Sequence, residues 1–351
     1  MSIAAGAVKR LALDCGFELA GIAPALPVED FARFEEWRRA GKAAGMGYLT
    51  DRRGDLRSDP RNLLPEARSL LCVGKLYNTG QPNSIEKRDA AQGWISRYAW
   101  GADYHELLRE RLNVLMQRIE RDHGEPIAWR VCVDTAPLLE RSYARLAGLG
   151  WIGRNTCLIN EQQGSWLFLG EALLSIPLAF DTPAPFRCGT CRRCIDACPT
   201  EAIVAGGDGS WSVDSRLCIS YLTIEERGVV PAEAAARTGT HVFGCDICQD
   251  VCPWNSRAPE TTEEGFAPQL FAPWLSTLAG MTEAEFRSAF RHTPVWRAKY
   301  SGFLRNVAMA MGNSGRPEML AGLERLAEHA DSLVAQSAKQ AIVELRKTIS
   351  C

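Results

Sequence analysis

The chain has 351 residues, of which 46% are hydrophobic, and a formal net charge of −2. That length and apolar content suit two or three domains with real cores and exclude a disordered chain. The near-zero charge leaves any anion-binding surface to a local patch, and no stretch approaches the ~18 apolar residues of a membrane span.

Met1 to Phe17 alternates apolar and polar residues with Lys9 and Arg10 in mid-run, which suits an amphipathic helix over Ile3 to Cys15 better than a secretory signal. A soluble cytoplasmic protein is expected. Phe17 to Ala23, ended by Pro24, reads as a short strand, and Glu29 to Ala40 as a helix stopped by Gly41. Trp37 to Arg61 holds seven Lys/Arg against three Asp. Such a run is usually a solvated face, but its glycine punctuation also suits an anion-binding loop. Ser69 to Val73 reads as a buried strand, and Ile95 to His105 as a loop. A long amphipathic helix from Tyr104 to about Asp122 ends at Gly124. Ala128 to Val133 is another strand, and Pro137 to Leu149 a helix closed by Gly150. Cys157 to Asn160 and Ser165 to Leu169 suggest a hairpin around Gly164, continued by Ala172 to Ile176 as a strand. Strands alternating with helices and closing on a hairpin argue α/β or α+β for residues 1–180.

Residues 181–260 are rich in Cys, Pro and Gly. Cys188-Gly-Thr-Cys191-Arg-Arg-Cys194-Ile-Asp-Ala-Cys198-Pro199 reads C-x2-C-x2-C-x3-C-P, the spacing of a bacterial-type 4Fe–4S ferredoxin loop. Three thiolates wrap one cube, and the fourth turns to a second cluster. The second half, Cys245-Asp-Ile-Cys248-Gln-Asp-Val-Cys252-Pro253, is one cysteine short, and Cys218 can fill the gap. The assignment is Cys188, Cys191, Cys194 and Cys252 on one cluster, with Cys198, Cys218, Cys245 and Cys248 on the other. For Cys218 the bland alternative is a buried free thiol. Structural zinc needs four ligands and usually keeps C-x2-C pairs separate, so eight cysteines with two C-x3-C-P endings exceed one zinc site. Disulfides would suit a small secreted domain instead. Cys15, Cys72, Cys132, Cys157 and Cys351 read as small buried hydrophobes. Gly206-Gly-Asp-Gly209 is a turn and no phosphate loop, because it lacks the strand–loop–helix context and the lysine. Ser301 to Asn313, Pro317 to His329 and Ser332 to Thr348 read as three Ala- and Leu-rich helices in a third domain, 275–351, of HEAT-like character.

Blocks spread over nearly the whole chain resemble one family, epoxyqueuosine reductase. They are Arg57-Ser-Asp-Pro-Arg-Asn-Leu-Leu-Pro65, Arg97-Tyr-Ala-Trp-Gly-Ala-Asp-Tyr-His105 and Asp134-Thr-Ala-Pro-Leu-Leu-Glu-Arg141. Gly148-Leu-Gly-Trp-Ile-Gly-Arg-Asn-Thr156, Gly164-Ser-Trp-Leu-Phe-Leu-Gly-Glu171 and Cys218-Ile-Ser-Tyr-Leu-Thr-Ile-Glu225 follow. The last, Gly244-Cys-Asp-Ile-Cys-Gln-Asp-Val-Cys-Pro-Trp-Asn255, is the most specific, because plain ferredoxins do not carry it. Arg154 departs from the lysine of the family's Gly-Lys-Asn-Thr pattern and keeps its charge. The resemblance implies a nitroreductase-like cobalamin-binding domain over 1–180, two 4Fe–4S clusters over 181–260 and a helical tRNA-binding tail. It also implies reduction of the epoxide of epoxyqueuosine in a tRNA anticodon, the last step of queuosine formation, by a monomer fed by an external low-potential electron donor.

By position and by resemblance, Arg57, Arg97, Tyr98, Asn155, Thr156, Trp166, Leu169, Ser220, Val242 and Phe243 are expected near cobalamin, although each could be plain packing. No His stands in an Asp-x-His-x-x-Gly pattern, so no protein histidine is expected on cobalt. Arg287, Arg291, Arg297, Lys299 and Arg305, interleaved with His292, Trp296 and Tyr300, suit the phosphates and splayed bases of an anticodon loop; the alternative is a solvated helix face. Asp134 follows the strand Ala128 to Val133 at an edge that lines ligand clefts in α/β folds. On spacing alone a helix cap and a catalytic acid stand level. The resemblance implies the acid, with burial of the carboxyl as the means of keeping its proton. Two other readings are a reductive dehalogenase-like corrinoid reductase of small molecules, and a non-catalytic electron carrier.

Overall fold

Helix α1, Ala5–Asp14, leads through Gly16, whose φ of 86° favours a residue without Cβ, into strand β1, Leu19–Pro24. The computed structural model describes residues 3–86 and 89–349; Met1 and Cys351, included in the readings above, lie outside them. Helix α2 is Asp30–Arg39, and strand β2, Ser69–Leu76, is buried along its full length. Helix α3, Tyr104–His123, opens where the Asp103 carboxylate accepts the His105 amide, and closes on Gly124 in the left-handed conformation. Strand β3, Trp129–Cys132, helix α4, Glu140–Leu146, and strand β4, Leu167–Leu174, complete the first half.

The sheet order is β1-β2-β4-β3, and every neighbouring pair is antiparallel. Of the two classes left open by the sequence, the ladder is that of an α+β fold. Alternation along the strands sends Leu71, Val73, Phe168, Ala172 and Leu174 into one core with α1 and α3. Leu70, Cys72, Cys132 and Leu173 enter a second core with Tyr143 and Ala144 of α4. Glu171 shares that second face, and pairs across the ladder with both Cys72 and Cys132. Two expectations are corrected. Strand β4 runs unbroken from Leu167 to Leu174, and the short arm at Leu158–Ile159 pairs with Trp151–Ile152. Helix α4 starts three residues after Pro137, because the intervening residues are taken up by a tight turn.

The cysteine-rich segment holds the hairpin Ile203–Ala205 and Trp211–Val213, turned by Gly206–Gly209 as expected. Beyond it, helix α5, Glu283–Phe290, opens with a Thr282–Glu285 capping box. Helices α6, Lys299–Asn313, α7, Leu320–Ala327, and α8, Ser332–Ile349, match the three expected helices. They do not form a free-standing tail. Phe303, Val307 and Met311 share one core with Trp94, Ile95, Trp100, Val242 and Phe243, so deleting residues from 275 onward would open the centre of the molecule.

Arg305 fastens this tail. The residue is 1% exposed, which corrects its expected place on an RNA surface. Nη1 donates to the carbonyls of Glu226 and Gly228 at 2.7 and 2.9 Å, Nη2 to that of Leu222 at 2.7 Å, and Nε to Asn306 Oδ1 at 3.0 Å. Burial lowers its pKa to about 10. Arg305→Met would strand three buried carbonyls, and is expected to cost about 3 kcal/mol. A lower urea midpoint, with unchanged tRNA affinity in the folded protein, is the expected result; loss of affinity at unchanged stability would return Arg305 to the RNA surface.

Candidate active site

Asp134 leaves the end of β3 with φ of 49°, a conformation that strains a residue bearing a Cβ. The Thr135 amide donates back to the Val133 carbonyl at 2.5 Å, which makes a three-residue turn. The Asp134 amide donates to Glu140 Oε1 at 2.5 Å, in the first turn of α4. Asp134 is therefore no helix cap; the helix reaches back to hold its backbone. The parallel-sheet edge rule used for Asp134 in the sequence does not apply to this antiparallel ladder. What presents the side chain is the strained turn. The expected burial is absent too, since the side chain is 52% exposed.

Asp134 Oδ2 lies 3.0 Å from His105 Nε2, and His105 Nδ1 lies 2.6 Å from Asp103 Oδ1. The imidazole stacks on Tyr104 at 4.1 Å, and Tyr104 on Phe168 at 4.0 Å. Burial alone would lower the His105 pKa, but hydrogen bonds to Asp103 and Asp134 outweigh it and raise the value to about 9. His105 is thus an imidazolium at neutral pH, donating from both nitrogens. Burial, then the Asp134 charge, pushes Tyr98 and Tyr104 above the ordinary phenol range. Burial, then Glu225, pushes Tyr48 up to about 12. These phenols stay neutral donors around a carboxylate. Below them, Glu171 is fully buried and, among the described residues, has no hydrogen-bond partner on either oxygen. Burial, then Glu140 and Asp134, raises it well above the carboxylate range. Burial, then Asp134, raises Glu140 to about 8. His105, Glu140 and Glu171 join the site without a motif that singles them out, apart from Asp-x-His at a helix start for the first.

The cysteines gather in two sets. Burial, then Cys188 and Cys191, pushes the Cys194 thiol up to about 11. Burial, then Cys188 and neighbours including Cys194, does the same to Cys252. Cys245 feels burial and then, among others, Cys218 and Cys198. Cys248 feels a hydrogen bond it donates to Cys157, then burial, and then, among others, Cys245 and Cys218. Cys157 is therefore no plain packing residue; it stands against the second set. Among the described residues no three His, Cys, Asp or Glu side chains converge on a single-ion site. A cubane asks for something else, one thiolate on each iron.

The family description "4Fe-4S double cluster binding domain" matches residues 187–255, and "Epoxyqueuosine reductase QueG, DUF1730" matches residues 57–135. The epoxyqueuosine reductase of Xanthomonas campestris pv. campestris is 41% identical over 348 residues, 97% of this chain and 96% of that protein. The chain belongs to the epoxyqueuosine reductase family. The Escherichia coli K12 epoxyqueuosine reductase is 39% identical over 92% of this chain and 85% of its own. A crystal structure of epoxyqueuosine reductase with a tRNA-Tyr epoxyqueuosine-modified stem loop superposes with a TM-score of 0.87, at 26% identity, over 98% of this chain and 93% of that one. The Streptococcus thermophilus epoxyqueuosine reductase superposes with a TM-score of 0.84, at 27% identity, over 97% and 90%. Family membership sets aside the small-molecule dehalogenase reading.

For an epoxyqueuosine reductase, several of the residues expected at cobalamin sit deeper than the sequence suggests. Arg97 lies between the Trp100 and Trp166 rings, with its centre 4.7 and 5.0 Å from theirs, and donates to the carbonyls of Thr79, Gln81 and Pro82. Arg57 is buried and donates to the Arg53 carbonyl at 2.8 Å. Val242 and Phe243 are core residues, and their carbonyls already accept from Asn306 and the Ser96 amide. Buried Asn155 donates to the Cys248 carbonyl at 3.3 Å. These six, Trp166 included, are corrected to supports of the site. Tyr98, Thr156, Leu169 and Ser220 are partly exposed and remain able to meet a ligand. On the expected RNA face, Arg287, Arg291, Arg297 and Lys299 are exposed. Arg297 donates to Glu225 Oε1 at 2.5 Å, and Lys299 sits 5.3 Å over the Trp296 ring.

The raised His105 value sets a sign for pH dependence. Its contribution to stability is complete below about pH 6.5 and is lost as pH rises through about 9. With only five histidines in the chain, one imidazole resonance should titrate near 9, and Asp103→Asn should bring it down toward 6.5. A His105 signal titrating near 6.5 in the parent would mean that the carboxylate pair does not hold it in solution.

Proposed function

We propose that this chain reduces the epoxide of epoxyqueuosine, at the wobble position of a tRNA anticodon, to the cyclopentene of queuosine. The observation that carries the reading is the Asp103–His105–Asp134 chain, with Asp134 turned outward among neutral tyrosines. The reaction consumes two electrons and two protons, breaks both C–O bonds of the epoxide and releases one water. Asp134, the exposed member of its pair, delivers the shared proton to the departing oxygen, and the His105 imidazolium restores it. The second proton enters from solvent, to which the Asp134 carboxyl is open. Tyr98 and Tyr104, whose hydroxyls make no hydrogen bond among the described residues, are free to donate to the substrate as it binds.

Cys188, Cys191, Cys194 and Cys252 would hold one 4Fe–4S cluster; Cys198, Cys218, Cys245 and Cys248 would hold the other. The two thiol sets and the matched double-cluster family support this. Family membership also implies cobalamin, which when bound supplies a strongly reducing cobalt centre. Tyr98, Thr156, Leu169 and Ser220 suit its mixed apolar and amide surface, because they combine partly exposed hydroxyl and apolar groups. The wider reading has a nitroreductase-like domain over 1–180, the cluster module over 181–260 and a HEAT-like tRNA-binding domain over 275–351, acting as a cytoplasmic monomer fed by an external low-potential donor. Among the described residues no helix is long and apolar enough to cross a membrane.

Residues Glu283, Ala284, Arg287, Ser288, Arg291 and His292 line an open cavity of about 710 Å³ on α5 and the turn after it, and this is the proposed RNA contact. Among the described residues the Arg287 side chain pairs with Glu283 alone, at 3.8 Å, a surface pair that a phosphate can replace.

Asp134→Asn should fold and load both clusters, bind tRNA, and turn over about 10²–10⁴-fold more slowly. Near-normal turnover would remove Asp134 from the chemistry. In the same preparation Cys218→Ala should lose about four of eight irons, the content of one cube; full iron content would sink its assignment. Arg291→Ala should weaken tRNA binding and reduce the salt slope by about one unit. An unchanged slope would move the RNA elsewhere.

A further inference from the structure

The two thiol sets differ in what surrounds them. Around the Cys245–Cys248 loop of the second, His241 to Gly244 and Asp246 are all buried, while Pro199, Arg216 and Leu217 beside Cys198 and Cys218 are exposed. Around the first, Arg187, Gly189, Thr190, Arg192 and Arg193 are all exposed. The Cys188–Cys194 loop is therefore directly open to an electron donor from outside the molecule.

That loop has a charge and a texture. Arg187 pairs with Glu161 at 3.3 Å and Arg192 with Asp196 at 3.5 Å, all four side chains being at least 46% exposed. Exposed pairs of this kind exchange readily with a partner's carboxylates. Arg193 is exposed and has no carboxylate partner among the described residues. Arg154 donates to the Gly189 and Cys191 carbonyls at 2.6 and 3.0 Å, which fixes the loop backbone and adds a fourth positive charge. Four arginines thus face two carboxylates. Just before Arg187 in the chain stand two bare aromatic rings, Phe186 at 57% and Phe180 at 52% exposure, among Pro183 and Pro185. Large apolar side chains left in water next to a local positive patch mark an interaction surface.

We propose that the Phe180–Arg193 face is the docking site for an acidic one-electron carrier protein, which delivers electrons to the Cys188, Cys191, Cys194 and Cys252 cluster. The inference rests on the cluster reading above. Each docking event oxidises one reduced carrier by one electron, so two events supply the two electrons that one epoxide consumes. The arginines give encounter rate and orientation, and the two phenylalanines give a dry contact at the centre. Complexes with one-electron carriers are typically small and short-lived.

The test uses the cluster-loaded full chain, a recombinant acidic bacterial ferredoxin as carrier, and basic cytochrome c as a charge control. Titration calorimetry at low ionic strength should show ferredoxin bound and cytochrome c not bound. The double variant Arg187→Glu with Arg193→Glu should weaken ferredoxin binding about tenfold or more, with the difference shrinking as salt rises. Phe186→Ser should weaken it at every salt concentration. The rate at which dithionite bleaches the iron–sulfur absorption should be the same in parent and variants, because that reductant needs no docking face. Iron–sulfur absorption of the parent checks the cluster reading separately. A parent that holds iron yet binds ferredoxin no better than the variants overturns the docking site alone. Slower dithionite bleaching in the variants would overturn it too, by placing these side chains in cluster retention.

Discussion

Asp246, in the turn between Cys245 and Cys248, accepts from Trp94 Nε1 at 3.1 Å, from the Arg97 amide at 2.7 Å and from the Ser96 hydroxyl. The residue is 1% exposed, so all three bonds are shielded from water. Through them the second cysteine loop is tied to the segment that carries Tyr98 toward Asp134. The same segment feeds Trp94, Ile95 and Trp100 into the core of the C-terminal helices, and Arg97 into its slot between two indoles. A carboxylate at this point is costly to bury and holds only because every lobe turned to it donates. It fixes the spacing between electron path, acid and tail at once, which neither a hydrophobic contact nor a single hydrogen bond could do.

Legibility in the sequence follows the range of the interactions. Each cysteine loop is spaced within a dozen residues, so the double-cluster character of the segment could be read directly. The Tyr104–His123 helix carries its own Asp103 cap and Gly124 stop, and local signals of that kind survive any tertiary setting. Arg305 shows the opposite case. In the chain it belongs to a basic, aromatic run, yet in the fold its donors go to carbonyls some eighty residues earlier. Nothing local distinguishes a guanidinium that meets phosphate from one that latches two domains. Val242 and Phe243 were likewise readable as apolar, but whether apolar means core or ligand wall depends on which helices cover them. The strand order was open for the same reason, since β2 pairs with β4 across ninety residues and more.

Asp134 is legible as a residue and illegible as a geometry. Burial is one way to keep a carboxyl supplied with a proton, and it was the expected one. The fold uses another, in which a half-exposed aspartate is hydrogen-bonded to an imidazolium that a second carboxylate holds in place. This leaves the acid open to a bulky substrate, which burial would not. The strained backbone at Asp134 is held by Glu140, whose own value is raised by burial and then by the Asp134 charge. Glu171 lies beneath, fully buried, its pKa raised by that burial and then by the Glu140 and Asp134 charges.

The proposed RNA face and the acid are joined by very few bonds. The Asp103 amide donates to the His292 carbonyl at 2.9 Å, at the C-terminal end of the helix that carries Arg287 and Arg291. The Asp103 carboxylate then holds His105, and His105 holds Asp134. A second strut runs from Arg297 to Glu225 and over the Tyr48 ring at 5.4 Å. An anticodon loop bound at α5, as proposed, would therefore be registered against Asp134 through hydrogen bonds, with no flexible linker between. Positioning of this kind converts binding energy from remote phosphates into alignment at the reacting carbon–oxygen bonds. A hinged tail could bind the same phosphates without that gain, and the core shared between the C-terminal helices and the Trp94–Trp100 segment is what forbids the hinge.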